Sequence, residues 1–100
     1  MKLSQIPIKL DKMKKEDIDR EILRAGMIAE LDAINLYEQM AAMSQREDIK
    51  ALLLDIAREE KTHVGEFQTL LLHLDKEQLR ELGEGEREAR EIIKKFKDSM

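Results

Sequence analysis

Two stretches of the chain carry inward-facing residues at alternating steps of four and three. The first runs Leu23, Met27, Glu30, Ile34, Tyr37, Ala41, and the second Ile49, Leu53, Ile56, Glu60, His63, Phe67, Leu70, Leu74. This spacing marks one stripe of an α-helix packed in a bundle, where positions three and four apart stack on a single face. Ser44 to Asp48 is a short polar connection between them, so the two helices are expected to reverse and pack antiparallel. Positions equally far from the reversal then face each other: Ala41 and Ile49, Tyr37 and Leu53, Ile34 and Ile56. The next pair is Glu30 and Glu60, with His63 one turn further on. Each stripe thus places a polar residue on its apolar face at the same level.

The helices are expected at about 15–43 and 47–74. Glu16, Asp17 and Asp19 lie in the first turns and suit the positive end of the helix dipole. A third segment starts near Asp75 and is expected to fail at Gly83-Glu84-Gly85, two glycines that read as a break. A last helix follows over roughly 86–98, acidic at its start and basic at Lys94, Lys95 and Lys97. Residues 1–14 read as an extended arm, because Ile6, Ile8 and Leu10 alternate around Pro7 and Lys9. The expected organisation is an arm (1–14), an all-α helical hairpin (15–82), and a linker with a short C-terminal assembly helix (83–100).

A chain of 100 residues with 40% charged and 42% hydrophobic residues is one small helical domain rather than a disordered chain. Its net charge of −4 and three aromatic residues argue against a nucleic-acid binder. With no cysteine, disulfides, thiolate zinc sites and cysteine nucleophiles are excluded. There is neither a membrane-length apolar run nor a secretory leader pattern, which is compatible with a reducing cytoplasm.

A buried carboxylate without a partner costs several kcal/mol, on the order of what one cation can offset, and two facing carboxylates repel each other. Glu60 and His63, three apart on one helix, can reach the same ion, and Glu30 faces them. Carboxylate with imidazole suits iron, manganese or zinc. Di-metal carboxylate bundles use four carboxylates and two histidines, built from two Glu-x-x-His motifs and two lone glutamates on four helices. One hairpin here supplies half of that set on half of the helices. Two copies related by a two-fold axis complete both, giving a four-helix bundle by dimerisation with two metal ions at its centre.

"AELDAINLYEQ", followed about thirty residues later by "REEKTHVGEF", resembles the encapsulated ferritins, a branch of the ferritin-like di-iron superfamily. The similarity covers roughly residues 15–98. It implies a ferroxidase that oxidises Fe(II) with O2, with Glu30, Glu60 and His63 as iron ligands and two iron ions per dimer. It also implies a ring of dimers, of the order of a decamer, held in an encapsulin nanocompartment that stores the iron. Mn, Zn or Ca are the ions expected to substitute or to occupy accessory sites. Tyr37 matches the family's tyrosine beside the metal, and Asp32 matches one acidic residue of its iron-entry path. The other acidic position of that path is Ala29 here, so an attracting entry site is not carried over intact.

Plainer readings stand beside these. Tyr37 is equally a core tyrosine, Asp32 lies off the stripe as a surface carboxylate, and Glu59 and Glu66 read as solvated. His73 has no matching carboxylate, and Met27, Met40 and Met43 read as adaptable core filling. Gly26 inside a helix costs roughly 1 kcal/mol relative to alanine, which close packing near the site would explain. Two other functions compete: a rubrerythrin-like peroxidase, which usually carries a cysteine-bound iron absent here, and a non-catalytic adaptor with a structural metal.

Overall fold

The computed structural model describes Lys14 and residues 17–98, which form three helices: α1 (Ile18–Met43), α2 (Glu47–Leu74) and α3 (Lys76–Asp98). The expected N-terminal arm lies outside the described residues.

The hairpin has the expected sense; α2 spans the expected 47–74, and α1 ends at the expected Met43 but begins at Ile18 rather than near 15. Ser44 leaves α1 in an extended conformation, and its hydroxyl accepts the Arg46 N–H at 3.3 Å. Arg46, also extended, hands the chain to α2 and clamps Asp48 in its first turn through two hydrogen bonds of 3.0 and 2.7 Å. Partners across the hairpin descend along α1 as they climb α2: Glu38 with Lys61 at 3.0 Å, Glu30 with His63 at 3.5 Å, Arg24 with Asp75 at 2.8 Å. That order is possible only for antiparallel helices.

The core shows what two helices can and cannot enclose. Ala25, Ile34, Ala41, Ala57 and Leu71 are buried, mostly small residues at the line of closest approach. Among the described residues no large side chain is fully buried. Leu23, Met27, Tyr37, Leu53, Ile56 and Phe67 are half-buried, and Ile49, Leu70 and Leu74 of the same stripe are exposed. A two-helix layer has no third wall, so the larger apolar stripe residues remain partly uncovered in the single chain.

α3 corrects the expectation of a break and a separate short helix. It runs without interruption through Gly83 and Gly85, neither of which takes a positive φ. Glycine costs a helix about 1 kcal/mol per residue but does not terminate it unless the backbone turns left-handed. Around these glycines, Arg87 pairs with Glu84 and Glu91, and Arg90 pairs with Glu86, at spacings of three and four that favour a helix. The boundary of the hairpin lies instead at Asp75. Asp75 opens α3 by accepting the Gln78 N–H at 3.0 Å on Oδ1, while Oδ2 accepts Arg24 Nη2 of α1 at 2.8 Å. This side chain caps one helix and ties it to another. Its carboxyl is held below the usual carboxylate range, first by the Gln78 N–H and then by the Arg24 charge, against the upward push of burial. Beyond this junction α3 projects away from the hairpin, and residues 79–97 are exposed.

Candidate metal centre

The tight line of the hairpin sets the height of the polar residues on the stripe. One turn from Glu30 in each direction, α1 has Gly26 and Ile34. Ile34 is buried, as is Ala57 one turn before Glu60 on α2, so the two backbones approach closely there. On the other side, Gly26 lets the Phe67 ring lie against the α1 backbone: a Cβ at this position would stand 2.6–2.9 Å from three ring carbons. Between these two contacts the helices leave room for three polar side chains and little else.

Glu30, Glu60 and His63 fill that room. One donor atom from each lies within 4.8 Å of the other two. His63 Nδ1 stands 3.4 Å from Glu60 Oε2 and 3.5 Å from Glu30 Oε2. Both glutamates are largely enclosed, with side chains 20% and 19% exposed, while the imidazole is 43% exposed. Glu30 Oε2 is buried and has no hydrogen-bond donor, because His63 Nδ1 is too distant to supply one in good geometry. Leaving such an oxygen unpaired costs about 1–3 kcal/mol. Two carboxylate oxygens and one imidazole nitrogen, one oxygen orphaned and aimed at the other donors, match the needs of a divalent transition metal. With three donors from a single chain, an ion held here would keep coordination positions for a second copy or a small molecule.

The remaining expected residues do not join this group. Tyr37 is half-buried on the same stripe, seven residues from Glu30, roughly 10 Å along the helix axis. Among the described residues it makes no hydrogen bond to the three. Asp32, two residues after Glu30, points about 200° around α1 from it and faces away from the cluster within one chain. Glu59 and Glu66 are exposed. His73 is exposed beside a hollow of about 240 Å³ that it shares with Asp19, Leu23 and Leu74, and neither Glu30 nor Glu60 lines it. A larger hollow, about 340 Å³, lies between α1, α2 and the start of α3. It is lined mainly by Met27, Ile28, Leu31, Leu71 and Leu82, and its one charged residue, Arg24, already pairs with Asp75. Neither hollow offers the convergent donors of the Glu30 cluster. The Arg24–Asp75 junction was legible only as Asp75-x-x-Gln78, the spacing of a helix cap, and nothing in the sequence linked it to a residue fifty-one positions earlier.

Comparison with known proteins shows the family of the chain. The rubrerythrin family pattern matches residues 21–99. A ferritin-like–encapsulin shell fusion protein of Pyrococcus furiosus is 60% identical over 78 residues, 78% of this chain and 22% of that protein. An encapsulin nanocompartment cargo protein of Myxococcus xanthus is 42% identical over 67 residues, 67% of this chain and 51% of that protein. The chain therefore spans about a fifth and about half of the lengths of these two relatives. The crystal structure of the encapsulated ferritin domain from Pyrococcus furiosus superposes with a TM-score of 0.77 at 55% identity, covering 90% of this chain and 94% of that one.

Proposed function

The chain belongs to the rubrerythrin family, in its encapsulated-ferritin branch, and from that premise we propose that it is a ferroxidase acting at a two-iron centre shared by two copies. The observation that carries this reading is the orphaned Glu30 Oε2, buried within 4.8 Å of donors on Glu60 and His63. Iron is the substrate: each Fe(II) gives up one electron, and O2 accepts the electrons.

The chain's own residues have three tasks. Glu30 and Glu60 supply the negative charge that draws Fe(II) and favours Fe(III) once the electron has left. His63 presents Nδ1 to the same point and adds a neutral donor, so the cluster is not overcharged. The packing of Ile34, Ala57 and the Gly26–Phe67 contact holds the helices at fixed separation, so the donors need little rearrangement as the charge on iron changes.

Two copies meeting through the open stripe would bring together four carboxylates and two imidazoles and cover Ile49, Leu70 and Leu74. A hairpin pair encloses no cavity, so the oxidised iron needs a separate container. The relatives named as an encapsulin shell fusion and as an encapsulin nanocompartment cargo support such a compartment. The exposed Ile92, Ile93 and Phe96 of α3 are the surface through which dimers would join into a ring.

The test is oxygen uptake after Fe(II) is added to the full chain. Rapid uptake, lost by at least a hundredfold in Glu60→Ala and in His63→Ala but kept in Glu66→Ala, is the expected result. Metal binding without uptake would replace the ferroxidase with the structural-metal adaptor.

A further inference from the structure

We propose that the Arg24–Asp75 pair is a latch that sets the direction of α3 against the hairpin, and that opening it lets α3 swing about Asp75 while the hairpin and α3 both stay helical. The proposal does not depend on the metal centre. Only its consequence for assembly rests on the role given above to the exposed surface of α3.

The first argument is the joint itself. A single residue, Asp75, separates α2 from α3, and its backbone is extended, with φ −121° and ψ 91°. Its N–H reaches back to the Leu71 carbonyl at 2.8 Å, and its C=O accepts the Leu79 N–H at 3.1 Å. The first bond closes α2 and the second opens α3. Neither spans the φ and ψ of Asp75, so neither fixes the angle between the two helices. The extended region is broad, and a residue can move by tens of degrees within it without a clash.

The second argument is that the Asp75 side chain supplies what its backbone does not. Oδ1 accepts the Gln78 N–H in the first turn of α3 at 3.0 Å, and Oδ2 accepts Arg24 Nη2 of α1 at 2.8 Å. One rigid carboxylate thus joins the end of α2, the start of α3 and the flank of α1. The residue is 8% exposed, so water competes little for the tie. Arg24 is steadied in turn by Glu21, one turn earlier on α1, at 3.3 Å. Arg20, paired with Asp17, adds a second positive charge that acts on the same carboxylate.

The third argument is that the rest of α3 offers no substitute. Its ion pairs, Arg80–Glu81, Arg87–Glu84, Arg87–Glu91 and Arg90–Glu86, lie within α3 itself. They keep it helical and say nothing of where it points. Leu79 and Leu82, the apolar residues of its first turns, are exposed. Beneath Gln78 and Leu82 lies the hollow of about 340 Å³ against Met27, Ile28 and Leu71, not a filled core that would fix the angle.

The last argument is leverage. At about 1.5 Å per residue, Phe96 lies roughly 30 Å from the joint, so a turn of about 20° at Asp75 displaces it by roughly 10 Å. One ion pair at the root of α3 therefore governs where Ile92, Ile93 and Phe96 are presented.

The experiment measures that direction. The chain has no cysteine, so Asn35→Cys in α1 with Lys94→Cys in α3, both exposed positions outside the ion pairs named here, carry two spin labels selectively. Labelled chains are mixed with an excess of unlabelled chains of the same background, so that double electron–electron resonance reads distances within one chain. The latch is opened in two ways. Arg24→Gln removes the charge on α1, and Asp75→Asn keeps an oxygen for the Gln78 N–H while losing the carboxylate that Arg24 holds. Without these changes the distance distribution should be narrow. In each variant it should shift or broaden by about 5 Å or more, with helicity by circular dichroism unchanged. Arg80→Gln, which removes an ion pair inside α3, should leave it narrow. Four results overturn the proposal: a distribution already broad with the latch intact, a smaller change in both variants, an equal change in Arg80→Gln, or a change that comes only with lost helicity. Light scattering on the same variants reads assembly separately. If α3 moves as expected and assembly is unaltered, the ring-forming role of α3 falls and the latch stands.

Discussion

Replacing Glu30 with glutamine isolates the energetic tension in the site. In the metal-free protein, Glu30 Oε2 is buried without a donor, and a second carboxylate, Glu60, lies in the same cluster. Glutamine keeps the shape, removes one negative charge, and offers an NH2 group that can donate to Glu60 Oε2 or to His63 Nδ1. An unsatisfied buried oxygen is worth about 1–3 kcal/mol. The side chain is 20% exposed, so the lower half of that range applies. A gain of about 1–2 kcal/mol corresponds to a rise in melting temperature of roughly 4–8 °C for each kcal/mol in a domain of this size. The assay is thermal unfolding followed by circular dichroism with excess chelator, at one fixed protein concentration because the proposed pairing would make the midpoint concentration-dependent. The same melts are then run with saturating Mn(II). A ligand at a hundred times its dissociation constant stabilises the folded state by about 2.7 kcal/mol. The wild type should gain that increment and Glu30→Gln most of it should lose, so the two curves exchange order on adding metal. A metal-free Glu30→Gln that melts at or below the wild type would refute the reasoning, because the carboxylate would then not be the strained element.

Gly26→Ala should lower the melting temperature by a few degrees: the helix gains about 1 kcal/mol from alanine, but the new Cβ meets the Phe67 ring, and overpacking costs about 1–3 kcal/mol. Adding Phe67→Leu should recover part of the loss, and the double-mutant comparison by thermal melts checks the contact. The depressed folded-state pKa of Asp75 means that its stabilising contribution is present above the ordinary carboxylate value of 3.8 and is lost as pH falls through the lower folded value. Melts across pH 5 to 2 should therefore show a loss in the wild type that is reduced in Asp75→Asn. Truncation after Leu82 should leave the metal cluster intact but abolish assemblies larger than a dimer in light scattering.

Periodicity made the hairpin legible. A stripe stepped by three and four is the direct imprint of a helix lying on a neighbour, and the short polar link at Ser44 to Asp48 leaves little choice but reversal. The cluster was legible for the opposite reason, since Glu30, Glu60 and His63 break the apolar rule at matched heights. A local rule broken twice in register is more informative than one that is kept. What escaped depended on interactions the sequence does not index. Gly83 and Gly85 look like a stop, yet a glycine ends a helix only if the backbone takes a positive φ, and here it does not. Arg24 and Asp75 each look like an ordinary surface charge until the fold brings them to 2.8 Å. Tyr37 and Asp32 were singled out by resemblance, and within one chain neither reaches the three donors.

The same physical shortage underlies both the folding and the chemistry. Two helices can bury alanines and a few branched residues along their line of contact, but they cannot enclose a row of Leu, Phe and Tyr. The uncovered stripe therefore favours a second copy on apolar grounds alone. The carboxylates lie on that stripe, so the surface most in need of a partner is also the one that metal-free charge repulsion holds apart. On the proposed reading, a divalent ion held by the Glu30 cluster would offset that repulsion, so the cluster would bear on association as well as on oxidation. A bundle built within one long chain would hold its donors together regardless of metal. In a bundle built from halves, occupancy and assembly are thermodynamically linked, and removing either must weaken the other.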